Sequence, residues 1–221
     1  KLLFISELGN NVSYSYVTLS LREILMNRFD CYFFCIRNLG RDNCTNKLVN
    51  EGFDEQKLFY IDETLLNKSN DEEYIQNVAD GIYQLEELID NINPNIIISL
   101  GDTELVKHQG LMLQYLKYTG VFIPYLAIDT GNPSKSWFDY NKTFMLTVSE
   151  YSKNELIKNN IIEENHVDTL PHIIDQNLFF SFSKEEKIKL RKNILGERYV
   201  NSYIVGSINC NSLRKKWDIL L

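Results

Sequence analysis

The sequence has 221 residues, which is enough for one large domain or for one domain and part of another. Its apolar fraction of 44% is that of a globular protein with a buried core. The net charge of −7 argues against a nucleic acid polymer as a partner, because phosphate binding needs a basic surface, whereas a small nucleotide stays possible. No apolar run approaches the roughly 20 residues of a transmembrane segment, and the first residues lack a signal-peptide pattern.

The first half of the chain alternates between short apolar runs and amphipathic stretches. Val17, Leu21 and Leu25 are four residues apart, which predicts a helix between the first two runs. The predicted strands of this half are residues 2–6, 31–36 and 57–61.

The clearest helical pattern covers residues 70–92. Ser69 and Glu72 have the spacing of a capping box at its start, and Asn93-Pro94 predicts its end. Between them, apolar residues repeat at intervals of three and four and predict one continuous helix. These residues are Ile75, Val78, Ile82, Leu85, Ile89 and Ile92.

The second half continues the alternation. Its predicted strands are residues 95–100, 121–128, 143–148 and 166–170. Asp102 is placed to cap a helix that ends near Gly120, and Pro124 predicts that the strand around it is irregular or lies at a sheet edge. Ser149 begins another helix, for which Ser152 and Glu155 have capping-box spacing.

The order of these elements predicts the fold. Strands that alternate with helices, without hairpin signals, imply parallel pairing through right-handed crossovers. We therefore predict an α/β protein with a doubly wound, parallel Rossmann-like sheet over residues 1–180. Residues 181–199 are predicted to be a linker with a short helix capped by Ser183 and Glu186. Residues 200–221 contain the first strand and the helix start of a second domain of the same kind.

The four cysteines, Cys31, Cys35, Cys44 and Cys210, do not have the spacing of a metal site. Cys31 and Cys35 lie in a predicted strand, where this spacing places them on one face but far apart. We expect buried free thiols, which are typical of a reducing compartment, and predict a cytoplasmic protein without a metal.

Ligands of an open parallel sheet bind beyond the carboxyl ends of the strands, so the polar residues after each apolar run are candidate site residues. Gly9, Asn10 and Asn11 follow the first strand. With one glycine they form neither a dinucleotide fingerprint nor a P-loop, but their amides could bind an anion or a sugar hydroxyl. An ordinary tight turn is the alternative.

Later strands end in further polar residues. Asp129 and Thr130 open a loop rich in Gly, Pro and Ser, where the carboxylate could act as a base or orient a hydroxyl. Capping of the loop's own amides is the alternative for Asp129, and helix capping is the favoured interpretation of Asp102. Ser149 also lies at a predicted strand end.

Two more candidates come from the C-terminal third of the chain. His172 follows Pro171 and precedes Asp175, so its imidazole could contact a phosphate, a carbonyl or a carboxylate, or could satisfy loop backbone. Arg214 and Lys215 lie at a predicted helix start, where cations oppose the helix dipole unless an anion such as a diphosphate compensates. A solvated basic surface is the alternative.

Five segments in order resemble the family-4 group of GT-B glycosyltransferases. They are "PNIIISLGD", "AIDTGNPSKSW", "LTVSEYSKNELIKNNI", "LPHIIDQNLF" and "GSINCNSLRKKWDIL". The resemblance implies a retaining transferase that moves a sugar from a nucleotide-sugar donor to an unknown acceptor, with neither cofactor nor metal. It also implies that the first domain binds the acceptor and the second the donor.

The resemblance implies roles for individual residues. Lys215, with Arg214 and Asn209, would bind the donor diphosphate, and Asp129 would take the place of a catalytic histidine. The acceptor side or cleft would contain Gly9, Asn10, Asn11, Asp102, Thr130, Ser149, His172 and Asp175. The family's paired-glutamate motif does not occur in these residues, so we expect no transferase activity from the 221 residues alone.

Two alternatives stay open at this point. One is another GT-B enzyme, such as a nucleotide-sugar epimerase. The other is a catalytically degenerate module that binds a glycan or a protein partner.

Overall fold

The computed structural model describes residues 1–9, 13–37, 41–128, 143–173 and 180–203. They divide between two compact units, Lys1–Ile174 and Asp175–Leu221. The sequence predicted three segments, with boundaries after residues 180 and 199. These boundaries stay predictions.

The first unit is built on a parallel sheet. Its strands are β1 (Leu2–Ser6), β2 (Cys31–Cys35), β3 (Leu58–Tyr60), β4 (Ile96–Gly101), β5 (Val121–Leu126), β6 (Met145–Thr147) and β7 (Val167–Thr169). They are hydrogen-bonded side by side in the order β3-β2-β1-β4-β5-β6-β7, and every described pair is parallel. This is a doubly wound Rossmann-like sheet, and the predicted fold class is confirmed.

In the described residues of this unit, six helices and several short 3-10 turns connect the strands. The helices are α1 (Ser13–Met26), α2 (Arg41–Asn50), α3 (Glu72–Ala79), α4 (Leu85–Ile92), α5 (Thr103–Tyr115) and α6 (Glu150–Lys158). The described 3-10 turns of this unit are Glu55–Lys57, Glu63–Lys68, Ile82–Gln84 and Glu164–His166. Within the described ranges, no helix is long and apolar enough to cross a membrane.

Alternating side chains of the central strands belong to two hydrophobic clusters, one on each face of the sheet. Leu3 and Ile5 of β1 belong to one cluster, and Leu2 and Phe4 belong to the other. All four are at most 1% exposed. A strand that is covered on both faces has no polar side, and this explains why these strands are uninterrupted apolar runs. Cys31, Cys35 and Cys44 are likewise buried and form no disulfide.

The predicted continuous helix over residues 70–92 is wrong. The chain forms α3, leaves the helix at Asp80 and Gly81, passes through a 3-10 turn and re-enters as α4. Gly81 has a left-handed φ of 74°, and the 3-10 turn leads directly into α4. The predicted capping box is also wrong, because Asp71 caps α3 by accepting a hydrogen bond from the amide of Tyr74.

Two further local predictions are corrected. Pro124 lies in β5, which is an interior strand between β4 and β6. It is tolerated there because β5 pairs with β6 at Tyr125 and Leu126 and with the segment before β6 at Phe122, so the missing N–H of proline falls in a gap between these two paired stretches. The predicted capping box of Ser152 and Glu155 is wrong, because Ser149 is the N-cap of α6 and its hydroxyl accepts from the amide of Ser152, while the Ser152 hydroxyl donates to the carbonyl oxygen of Ile128.

The described part of the second unit consists of helix α7 (Lys184–Leu195) and a 3-10 turn at Glu197–Tyr199. The predicted capping box is confirmed, because the Ser183 hydroxyl accepts from the amide of Glu186 and the Glu186 carboxylate accepts from the amide of Ser183. The strand and helix predicted after residue 200 lie outside the described residues, apart from residues 201–203.

Candidate functional site

The topology of the sheet brings the ends of β1, β2 and β4 together. From β1 the chain adds β2 and then β3 on one side of β1. It then returns across the sheet and adds β4 on the other side of β1. The strand order therefore reverses between β1 and β4, which is the place where open α/β sheets form a ligand-binding crevice. Glu7 follows β1, Arg37 follows β2 after one intervening residue, and Asp102 follows β4.

Arg37 is the centre of the polar cluster at this crevice. Its Nε donates to Asp80 Oδ1 at 2.6 Å and its Nη1 donates to Glu7 Oε1 at 2.8 Å. The same Nη1 lies 3.9 Å from Asp102 Oδ2, which is an ion pair without a hydrogen bond. Burial lowers the pKa of Arg37, but the hydrogen bonds that its guanidinium donates to Asp80 and Glu7, together with the charges of these carboxylates, raise the pKa by more, so the guanidinium stays charged.

The backbone holds Arg37 as firmly as its side chain does. Its φ of 53° is left-handed, which is uncommon for a residue other than glycine. The amide of Arg37 donates to the carbonyl oxygen of Ala79, at the end of α3. The break between α3 and α4 therefore places both the Ala79 carbonyl and the Asp80 carboxylate within hydrogen-bond distance of Arg37.

Asp80 is fixed by its own surroundings. Its side chain is only 3% exposed and accepts a second hydrogen bond from Gln76 Nε2 at 2.9 Å. Its carbonyl oxygen accepts from Gln109 Nε2 at 3.0 Å, and Gln109 is in turn hydrogen-bonded to the hydroxyl of Ser99 on β4. A buried polar network thus connects β2 to β4 beneath the crevice, with Asp80 accepting from both sides.

Asp102 faces outwards from this network. Its side chain is 63% exposed, compared with 14% for Glu7. It occupies the N-cap position of α5 but makes no capping hydrogen bond, so the favoured interpretation from sequence is wrong. Instead, the hydroxyl of Tyr14 in the first turn of α1 donates to Asp102 Oδ1 at 2.6 Å. One carboxylate oxygen is held by Tyr14 while the other faces Arg37.

His172 lies against the same part of the sheet. Its ring makes edge contacts with Tyr14 and Tyr125, at centroid distances of 6.4 and 5.9 Å. Tyr125 in turn donates its hydroxyl to the carbonyl oxygen of Leu170 at 2.6 Å, which anchors the loop that carries His172. The imidazole Nε2 is buried without a hydrogen-bond partner among the described residues.

This burial makes a pH effect testable. Desolvation lowers the pKa of His172 below its ordinary value of 6.5. The unfolded chain therefore binds the proton more readily, and the stability provided by neutral His172 is lost as the pH falls from about 6.5 through the lowered pKa. We expect the free energy of unfolding to fall more between about pH 7.5 and about pH 5 in the wild type than in His172→Gln. The matched control is His108→Gln, whose side chain on α5 is 40% exposed. Equal pH profiles for all three proteins would contradict the assignment.

The remaining sequence-predicted residues fall into two groups. Gly9 has a φ of 92° and donates its amide to the Ser15 hydroxyl at 3.1 Å, while Ser149 is the local cap of α6. Gly9 lies at the end of β1, beside the crevice, and Ser149 follows β6. The other predicted site residues lie outside the described residues: Asn10, Asn11, Asp129, Thr130, Asp175, Asn209, Arg214 and Lys215.

Sequence reasoning missed Glu7, Tyr14, Arg37 and Asp80. Arg37 directly follows the predicted strand 31–36, so the rule that selected Asp102 could have found it. Asp80 carried a weaker signal, since Asp-Gly inside a helical pattern marks a turn. The described residues contain no cluster of three or more His, Cys, Asp and Glu side chains able to hold a metal.

The fold resembles solved structures of UDP-N-acetylglucosamine 2-epimerases, which have a GT-B-like fold. The enzyme from Neisseria meningitidis, bound to UDP-GlcNAc, aligns with a TM-score of 0.56 and 14% identity over 89% of this chain and 52% of that one. A second such epimerase aligns with a TM-score of 0.52 and 14% identity over 76% of this chain and 44% of that one. The enzyme from Methanocaldococcus jannaschii aligns with a TM-score of 0.50 and 16% identity over 76% of this chain and 44% of that one.

The chain therefore spans about half the length of the structures that it matches. At this identity the likeness shows the fold alone, a Rossmann-like α/β fold that matches part of these GT-B-like structures. No protein-family model and no curated protein sequence matched the chain.

Proposed function

We propose that this chain is the sugar-side part of a GT-B-like enzyme that acts on a nucleotide sugar, and that the reaction is an epimerisation of the sugar. The observation that carries the proposal is the Asp102 carboxylate at the reversal of strand order, 63% exposed and held on one oxygen by Tyr14. The fold shared with UDP-GlcNAc 2-epimerases supports it.

The arrangement around Asp102 suits proton transfer. Inversion at a sugar carbon by proton transfer removes a proton on one face and delivers a proton on the other, so acid–base groups must lie close to the sugar. Asp102 can accept a proton through the oxygen that Tyr14 does not occupy. The hydroxyl of Tyr14, which donates to Asp102, and the nearby guanidinium of Arg37 would hold the carboxylate in one orientation while the proton moves.

The charge of the cluster also favours the sugar over the diphosphate as its ligand. Carboxylate oxygens accept hydrogen bonds from sugar hydroxyls, whereas they repel phosphate oxygens. We infer that the diphosphate binds elsewhere, and the predicted contacts from Lys215, Arg214 and Asn209 are consistent with that arrangement.

A test of Asp102 uses the full-length protein. Asp102→Asn keeps the size of the side chain and an acceptor for Tyr14, but it removes the base. We expect the turnover of the nucleotide sugar to fall by about 10²–10⁴-fold, the range of general acid–base catalysis. The matched control is Asp30→Asn, which removes the same charge just before β2. This position lies at the amino ends of the strands, whereas Asp102 lies at their carboxyl ends. A variant Asp102→Asn with wild-type turnover would remove Asp102 from the mechanism.

Glycosyl transfer is the second candidate, and it is favoured by the segments that resemble family-4 transferases. Incubation of the full-length protein with UDP-GlcNAc and related nucleotide sugars separates the two, with products identified by NMR. An epimeric nucleotide sugar formed without any acceptor supports the proposal. Product that forms only when an acceptor glycan is added supports glycosyl transfer, and binding without turnover supports a degenerate module.

A further inference from the structure

The cluster at the ends of β1, β2 and β4 has an excess of negative charge. Glu7, Asp80 and Asp102 contribute three carboxylates, and Arg37 contributes one guanidinium, so the formal charge of these four side chains is −2. Lys47 adds a cation at the edge of this group, where its Nζ lies 3.5 Å from the carbonyl oxygen of Gly9. With Lys47 included, the formal charge is still negative.

Arg37 acts as an internal counter-ion in this arrangement. Its guanidinium is bonded to the carboxylates of Asp80 at 2.6 Å and Glu7 at 2.8 Å, and its amide is bonded to Ala79. These contacts tie the side chain at both Nε and Nη1, so an incoming anion would have to compete with two carboxylates already in place. Arg37 is therefore a positioning residue that organises the carboxylates.

Asp102 extends the negative charge into the crevice. Its exposed carboxylate accepts a hydrogen bond from the hydroxyl of Tyr14, and no cation of the described residues donates a hydrogen bond to it. A hydroxyl or an ammonium group of a ligand can donate to such a carboxylate, whereas a ligand carboxylate can only repel it at neutral pH. The repulsion acts over about 8–10 Å at moderate salt, so it does not depend on one orientation of the sugar.

We propose that this crevice selects nucleotide sugars whose sugar carries no negative charge, and that it excludes uronates. The inference rests on the proposed function and adds the class of sugar to it. Glu7 and Asp102 are the specificity-determining residues, and Arg37 positions them.

The test is a competition binding experiment on the full-length protein with three nucleotide sugars of different charge. UDP-glucose and UDP-glucuronate differ only at the sixth carbon, and UDP-glucosamine carries an ammonium group. We expect UDP-glucuronate to bind at least about 10-fold more weakly than UDP-glucose, and UDP-glucosamine to bind at least as tightly as UDP-glucose. The difference in affinity between UDP-glucose and UDP-glucuronate should become smaller as the salt concentration rises.

Charge variants connect the selectivity to the crevice. Asp102→Asn should reduce the preference for UDP-glucose over UDP-glucuronate several-fold. Asp30→Asn makes the same change in net charge at the amino ends of the strands and should leave this preference unchanged. Equal affinity of the wild type for the two ligands would overturn the inference and leave the proposed function standing. An effect of Asp30→Asn as large as that of Asp102→Asn would also overturn it. Failure of UDP and of all three nucleotide sugars to bind would overturn the proposed function, and the inference with it.

Discussion

Replacement of Arg37 by methionine is expected to lower the free energy of unfolding by about 3 kcal/mol, because it leaves the buried Asp80 carboxylate without its ion-pair partner. Removal of one partner of a buried ion pair typically costs about 3–5 kcal/mol. The lower end applies here because the Arg37 side chain is 29% exposed while that of Asp80 is 3% exposed. Urea unfolding followed by circular dichroism measures the loss.

The chain offers a matched control for this prediction. Lys57 and Asp30 form an ion pair of the same length, 2.6 Å, but their side chains are 36% and 45% exposed. Lys57→Met should therefore cause a much smaller loss, since water screens an exposed pair. Adding Asp80→Asn to Arg37→Met should recover part of the stability, because it removes the unpaired charge. A loss for Arg37→Met no larger than that for Lys57→Met would show that the buried cluster does not stabilise the fold.

The strands could be predicted from the sequence because each of them has a simple physical cause. A parallel strand with helices on both faces buries every side chain, so β1 and β4 are nearly continuous runs of large apolar residues. The parallel pairing of the strands followed from the same pattern, since strands that alternate with helices are joined by right-handed crossovers. The proline of β5 misled the prediction because a sequence does not show where a neighbouring ladder has a gap.

The helix predicted over residues 70–92 shows a limit of hydrophobic periodicity. The pattern largely reports which side chains face the core: Val78, Ile82, Leu85 and Ile92 are buried and Ile89 packs against the core, whereas Ile75 is 37% exposed. It does not report whether the backbone between them keeps α-helical hydrogen bonds. The 3-10 turn after Gly81 keeps the buried positions in step, so the break is almost invisible in the pattern.

The candidate site was only partly predictable for a related reason. Asp102 and Gly9 were found because they follow strands, which is a local property of the sequence. The pair of Arg37 and Asp80 is separated by 43 positions and is brought together by the crossing of α3 over the sheet, so no local pattern could connect them. Asp129 and Lys215 were selected through the family resemblance, and their roles stay predictions.

The second large effect is expected from Gly81→Ala, which should disturb the turn that presents Asp80 to Arg37. A Cβ atom on residue 81 would lie 2.3 Å from Cε1 of Phe34 and 3.0 Å from Cγ2 of Ile36, both of which are buried in the core. The φ of 74° adds a conformational cost of about 1–2 kcal/mol for any residue with a Cβ atom. The overlap with Phe34 adds about 1–3 kcal/mol, so we expect a total loss of about 2–5 kcal/mol.

Gly52→Ala separates these two causes. Gly52 has a comparable φ of 87°, but a Cβ atom there would meet only the flexible end of Arg22, at 3.5 Å. Gly52→Ala should therefore show the conformational cost alone, and Gly81→Ala should exceed it by about 1–3 kcal/mol. Phe34→Leu should recover part of that difference when combined with Gly81→Ala, because it shortens the side chain that the new methyl group meets. Equal losses for the two glycine variants would mean that the turn can move away from Phe34, and Asp80 would then not be fixed by the packing of its neighbour.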